Sequence, residues 1–190
     1  MSQGIPEATI SATGPLTRGD FLVQLYWYAD TSAGPEVVGI KGLSRLARLC
    51  VILGEELGVN RTIDPFFQFH RTPSGGIASP ELWTELLALR AYQVLTPLPA
   101  GEPMPPEEIE ERRYLLEHKI PAHERSHYPL PTRLERDVLT NKGTFFAAKR
   151  EDQAIQRWIA TFKTVAELNQ LSLTELTARA LPLLRSPVAR

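Results

Sequence analysis

Hydrophobic residues recur at helical spacing along much of the chain. The first predicted helix runs from Thr17 to Asp30, and its residues from Phe21 to Ala29 are apolar nearly all round, which predicts a buried central helix. Thr17 and Asp20 have the spacing of an N-cap residue and its N3 partner. Residues 42–57 carry one apolar stripe, which predicts a second helix. The stripe consists of Leu43, Leu46, Ala47, Cys50, Val51 and Leu53.

Four further helices are predicted in the rest of the chain. One begins at Ser79, where Pro80 fits the first helical position. The last begins with Ser172 and Glu175, which form a capping-box pattern. The four predicted helices span residues 79–92, 107–118, 151–169 and 172–184.

Two segments have the character of strands. The aromatic stretch Ile63–His70 predicts a short strand or extended segment, and a flexible turn follows at residues 72–76. Residues 137–144 are a β-branched run that closes on Asn141-Lys142-Gly143, which predicts a strand and a tight turn. The predicted fold class is therefore mainly α with a small β component.

Prolines are concentrated in one part of the chain. Eight of the 16 prolines lie between Pro97 and Pro131. Because proline lacks an N–H group and fixes φ, it interrupts both helices and strand ladders. The predicted organisation is a flexible N-terminus at 1–16, one domain at 17–185 with a proline-rich insertion at 97–131, and a tail at 186–190.

Composition narrows the class of protein. The chain has 190 residues, 43% of them hydrophobic, and a net charge of −1, so it is neither strongly basic nor an acidic tail protein. Cys50 is its single cysteine, which excludes an internal disulfide framework. No apolar run approaches the length of a membrane span, and residues 1–15 lack the pattern of a signal peptide. We therefore expect a soluble cytoplasmic protein.

The sequence H-E-R-S-H at His123–His127 matches the H-E-x-x-H zinc motif. In that motif two histidines one helical turn apart bind zinc, and the glutamate, here Glu124, activates the bound water. Pro121 and Pro129 bracket the match and leave room for about two helical turns. These prolines favour a polar loop over a zinc helix. We therefore expect no cofactor, and His123 and His127 are the candidate ligands for the alternative in which zinc is bound.

Basic residues are concentrated towards the C-terminus, where residues 137–190 carry 8 Lys+Arg and 5 Asp+Glu. Nucleic-acid binding requires a basic face rather than a basic total. The candidate nucleic-acid-binding residues are three near the predicted tight turn and two on one flank of the second helix: Lys142, Lys149, Arg150, Arg45 and Arg48.

Four segments together resemble the YwgA-like and Panacea (phage-associated, antitoxin-related) winged-helix domains. They are the helix G-L-S-R-L-A-R-L at 42–49, the aromatic segment and helix at 66–95, the wing-like L-T-N-K-G at 139–143, and L-S-L-T-E-L at 171–176. The resemblance covers residues 17–95 and 133–185. It implies a winged-helix-like core whose insertion lies between the wing strands, and a regulatory or interaction role. It supplies no catalytic residues.

One feature departs from a DNA-binding winged helix, in which the helix before the wing enters the major groove. The corresponding helix here carries Glu81 and Glu85 and a single basic residue, Arg90, and phosphates repel carboxylates. The leading hypothesis is therefore a non-enzymatic interaction module that binds a protein or a second copy, with Trp27 and Trp83 as candidate partner-binding residues. The alternatives are nucleic-acid binding through the wing and the C-terminal basic residues, and a zinc-dependent hydrolase.

Overall fold

The chain folds into a mainly helical structure with two small sheets. A computed structural model describes residues 16–31, 39–59, 65–149, 153–156 and 158–184. The N-terminal half contains α1 (Arg18–Thr31), β1 (Ile40–Lys41), α2 (Gly42–Glu56), β2 (His70–Arg71), β3 (Ile77–Ala78) and α3 (Pro80–Ala91). The C-terminal half contains β4 (Leu95–Pro103), α4 (Pro106–His118), β5 (Arg133–Leu139), α5 (Asn141–Lys149), α6 (Gln153–Gln156), α7 (Ile159–Phe162), α8 (Val165–Gln170) and α9 (Leu173–Ala180).

The predicted central helix and two predicted caps are confirmed. Residues 21–26 of α1 are all buried. At its start, the amide of Asp20 donates to Thr17 Oγ1 at 3.1 Å and the amide of Thr17 donates to Asp20 Oδ2 at 3.0 Å. The same reciprocal pair forms between Ser172 and Glu175 at the start of α9. These caps satisfy backbone N–H groups that have no partner within the helix.

The larger sheet has the order β1-β5-β4, so the proline-rich strand β4 lies at an edge. The Val94 carbonyl accepts a hydrogen bond from the amide of Thr140 and therefore faces β5. Because successive residues alternate in direction, Pro97 and Pro99 face the free edge, where a missing N–H group costs no ladder hydrogen bond. The expectation that these prolines exclude a strand is therefore wrong.

The proline-rich segment 97–131 is part of the core, because two carboxylates of α4 enter the N-terminal end of α2. Glu108 accepts hydrogen bonds from the amides of Leu43 and Ser44 at 2.9 and 2.6 Å and pairs with Arg112 at 2.7 Å. Glu111 pairs with Arg48 at 2.7 Å. The four charged side chains are at most 4% exposed, so these contacts anchor α4 to α2.

The aromatic segment forms less strand than predicted. Of its described residues, 65–70, His70 alone joins a strand, which pairs with β3 across the turn at 72–76. Phe67 is buried beside Phe21, with ring centroids 6.1 Å apart. Residues 60–64 lie outside the described part of the chain.

Within the described residues, the predicted helix at 151–169 appears as the separate helices α6, α7 and α8, while residues 151, 152 and 157 lie outside the described part of the chain. Hydrogen bonds to the residue three positions back, rather than four, occur near the helix ends: the amide of Trp158 donates to the Ile155 carbonyl, and that of Thr164 to the Thr161 carbonyl. The Thr164 hydroxyl also donates to the Thr161 carbonyl at 2.7 Å, which competes with continuation of the helix. The apolar face was predicted correctly in part, since Ile155, Trp158 and Phe162 are buried.

Candidate interaction surface

Residues 141–149 form a helix, so the predicted tight turn at Asn141-Lys142-Gly143, with its wing, is wrong. Thr140 Oγ1 accepts a hydrogen bond from the amide of Gly143 at 3.2 Å, which is the geometry of an N-cap residue and N3. Thr140 also donates to the Gln93 carbonyl at 2.6 Å. The cap therefore starts α5 and ties it to the turn between α3 and β4.

One side of α5 packs closely against the protein. Gly143 and Ala147 are buried, and a Cβ atom on Gly143 would collide with the carbonyl oxygen of Val94. On the side towards α1, Gln24 Nε2 donates to the Ala147 carbonyl at 2.9 Å. Small residues at i and i+4 thus allow α5 to approach its neighbours, and they determine which of its faces points outwards.

The outward side presents an exposed aromatic ring between two lysines. Phe145 is 62% exposed, and Lys142 and Lys149 are exposed as well. Phe146 is half-buried beside Phe145, with ring centroids 6.1 Å apart. These residues have the spacing i, i+3, i+4 and i+7, which places them on one side of a helix. We call Lys142, Phe145, Phe146 and Lys149 the α5 face.

Both lysines lie over the aromatic rings. Lys149 Nζ is 5.9 Å from the ring centroid of Phe145, and Lys142 Nζ is 6.0 Å from that of Phe146. Lys142 also donates to the Tyr92 carbonyl at 2.8 Å. Within the described ranges neither lysine forms an ion pair with a carboxylate. The α5 face therefore combines two positive charges with an exposed apolar ring.

Arg45 and Arg48, predicted as nucleic-acid contacts, have structural roles instead. Arg48 is 1% exposed and is paired with Glu111, so it has no surface to offer a phosphate. Arg45 is half-buried and donates to the carbonyls of Asn169 and Leu171 at 2.9 and 2.7 Å. Arg150 lies outside the described residues, so Lys142 and Lys149 are the predicted basic residues that the structure places on the surface.

The two predicted partner-binding tryptophans, Trp27 and Trp83, differ in burial. Trp83 is fully buried, with Tyr128 edge-on at 5.1 Å and Arg112 over its ring at 5.3 Å. Trp27 is half-buried against the core. The prediction that Trp83 contacts a partner is therefore wrong, because its side chain is buried.

The α3 helix corresponds to the recognition helix of the winged-helix resemblance, and it is covered by the rest of the protein. Its residues from Pro80 to Arg90 are all buried or half-buried, and Ala91 is its one exposed residue. A helix covered in this way cannot enter a groove of DNA. The helix that the resemblance assigns to DNA reading is therefore not available for the major groove.

The H-E-x-x-H match lies in an exposed turn. Residues Arg125–His127 form a single 3₁₀ turn, and His123 Nε2 is 3.4 Å from Glu124 Oε1. In a 3₁₀ turn residues three apart, not four, share a side, so His123 and His127 lack the stacking that an α-helix provides. The described part of the chain contains no group of three or more His, Cys, Asp or Glu side chains placed to hold a metal ion.

Comparison with known proteins identifies no relative. No family model, no curated protein and no solved structure matches the chain. Among the helices in the described ranges, none combines the length and the apolar character needed to cross a membrane.

Sequence reasoning identified the two lysines of the α5 face but missed its aromatic residues. Asn141-Lys142-Gly143 looks like a turn, and that interpretation separated Lys142 from Phe145. A signal was present in Gly143 and Ala147, whose spacing of four residues is typical of the small side of a closely packed helix.

Proposed function

We propose that the protein is a non-enzymatic interaction module that binds a protein partner through the α5 face. The exposure of Phe145 carries this proposal. Burying a phenylalanine side chain contributes about 1.5–3 kcal/mol, and aromatic residues are enriched at the centres of interfaces. The flanking lysines add a charge preference, since they attract a partner with carboxylates opposite them.

A finer form of the proposal is an antitoxin-like or phage-related regulatory role. The sequence resemblance to winged-helix domains supports it. The α5 face would then hold the regulated protein.

The proposal is tested by affinity capture from extract of the source cells, with quantitative mass spectrometry. We expect the captured partner to be lost or strongly depleted with Phe145→Ala and with Lys142→Glu/Lys149→Glu. Ala148→Ser is the matched control, because Ala148 is exposed on the same helix but outside the α5 face. A partner that all variants capture equally would refute the role of this face.

Nucleic-acid binding is the second candidate. It is supported by the exposure of Lys142 and Lys149, neither of which pairs with a carboxylate of the described residues. The test is a mobility shift at low salt with single- and double-stranded DNA. Reversal of both lysine charges should weaken binding for all sequences and reduce its salt dependence. Absence of retardation at micromolar protein would exclude this function.

A further inference from the structure

We propose that the α5 face binds the exposed side of α4 in a second copy of the chain. This inference rests on the proposed function, because it names the partner of the same face. The residues that carry it are Ile109, Glu110, Arg113 and Glu117, which we call the α4 face.

The α4 face is an exposed acidic counterpart of the α5 face. Glu110, Arg113 and Glu117 are exposed, and Ile109 is 38% exposed. Glu110 and Glu117 form no ion pair within the described ranges. The buried carboxylates Glu108 and Glu111 lie on the other side of α4, where they contact α2. Both sides of α4 are therefore acidic, and only one of them is occupied by contacts with α2.

The spacing of charges on the two faces is the same. Lys142 and Lys149 are seven residues apart, and so are Glu110 and Glu117. Seven residues span about 10.5 Å along a helix axis. Two helices laid side by side can therefore form both Lys–Glu contacts at once, in either relative direction.

The residues between the charges also match. On α5 the middle of the face is the exposed ring of Phe145, and on α4 it is Arg113. A guanidinium over an aromatic ring is a favourable contact, and Ile109 adds an apolar neighbour. Arg113 carries a charge of the same sign as the lysines. When Glu110 faces Lys142, Arg113 lies opposite the ring of Phe145, because each is three residues further along its helix, and not opposite either lysine.

The association should be weak and depend on salt. Two helical turns on each side form an interface at the small end of specific interfaces, so we expect a Kd in the micromolar range or above. The two faces are different surfaces, so each contact leaves one α4 face and one α5 face free. Repeated contacts of this kind form either a closed ring of chains or an open assembly that continues to grow.

The test is sedimentation velocity of the full chain over a concentration series at low and high salt. We expect concentration-dependent association that Lys142→Glu/Lys149→Glu weakens at least about tenfold, as does Glu110→Lys/Glu117→Lys. Mixing the two charge-reversed proteins, or combining all four substitutions in one chain, should restore association. Restoration distinguishes a direct contact from a general effect of charge.

The control is Lys163→Glu/Arg179→Glu, which changes the net charge as much as the lysine reversal at exposed positions outside both faces. Circular dichroism verifies that each variant is folded. A chain that remains monomeric throughout, or an association that either reversal leaves unchanged, would overturn the inference. The capture experiment tests the proposed function independently, because it measures whether binding of any protein partner requires Phe145. The sedimentation experiment tests only whether that partner is a second copy of the chain.

Discussion

Loss of one partner from the buried pair Arg48–Glu111 should destabilise the protein more than loss of both. In addition to the guanidinium of Arg48, Glu111 accepts hydrogen bonds from the Ile77 amide at 2.9 Å and from the Ser44 hydroxyl. Arg48 donates to the Ser44 carbonyl at 2.7 Å and to Thr177 Oγ1 at 2.5 Å. The pair thus joins α4, α2, β3 and α9, and both of its side chains are almost completely buried.

The expected magnitudes follow from what each substitution leaves unpaired. Glu111→Leu leaves the Arg48 charge buried, at a cost of about 3–5 kcal/mol, and leaves the Ile77 amide without an acceptor, at about 1–3 kcal/mol more. Arg48→Met should cost about 3 kcal/mol, because Glu111 retains two donors. The double variant buries no charge at this position, so its cost should fall to about 1–3 kcal/mol.

The assay is urea unfolding followed by far-UV circular dichroism, analysed as a double-mutant cycle. Lys41→Met/Glu102→Gln and its single variants are the control, since that ion pair is 36% and 53% exposed and should contribute less than about 1 kcal/mol. If the double variant is no more stable than Glu111→Leu, the reasoning from buried charge is refuted. The reasoning is also refuted if Arg48→Met lowers the free energy of unfolding as little as the control substitutions do.

Three further predictions concern single positions. Gly143→Ala should lower the free energy of unfolding by about 1–3 kcal/mol, because its Cβ would meet the Val94 carbonyl; an unchanged urea midpoint would contradict the close approach. Gln93→Gly should raise the free energy of unfolding by about 1 kcal/mol, since Gln93 has φ +57° at the end of α3; a lower urea midpoint would contradict this. Hydrogen bonds from Ser172 lower the pKa of Glu175, so this carboxylate stabilises α9 above the ordinary glutamate pKa and the effect is lost as pH falls through the lowered value. An NMR titration should show this lowered pKa and a rise towards the ordinary value in Ser172→Ala, which removes the hydroxyl donor and keeps the backbone N–H donor; equal values in both proteins would refute the cap.

Helix starts were predicted well because their determinants are local. The amide of Leu82 donates to the Ser79 hydroxyl at 3.3 Å, and Pro80 occupies the first turn as expected. Such a cap needs three or four consecutive residues and little else. The start of α9 at Ser172 follows from the same physics.

The wrong predictions concern short sequence patterns that are compatible with two different local structures. Asn-Lys-Gly suits a tight turn, but in this protein Gly143 is the residue that lets α5 lie against the Val94 carbonyl. Likewise, proline is excluded from a central strand but tolerated in an edge strand, which is where Pro97 and Pro99 lie. Which case applies depends on the neighbour of each segment, and that neighbour is distant in the sequence.

The candidate interaction surface was predicted in part for the same reason. Lys142 and Lys149 are charged and stay at the surface, as charged side chains usually do. Arg48 has the same charge but is buried, because Glu111, 63 residues away in the chain, supplies its counter-charge. No pattern around Arg48 indicates this pairing.

The amino-acid sequence by itself determined where most helices begin, which stripes are apolar and that the fold is mainly helical, because caps and periodicity act over a few residues. Only the tertiary structure decided which charges are buried, that the proline-rich segment completes the core, and which side of α5 faces outwards. Those outcomes depend on contacts between distant segments, whose free energy is gained only when the whole chain is folded.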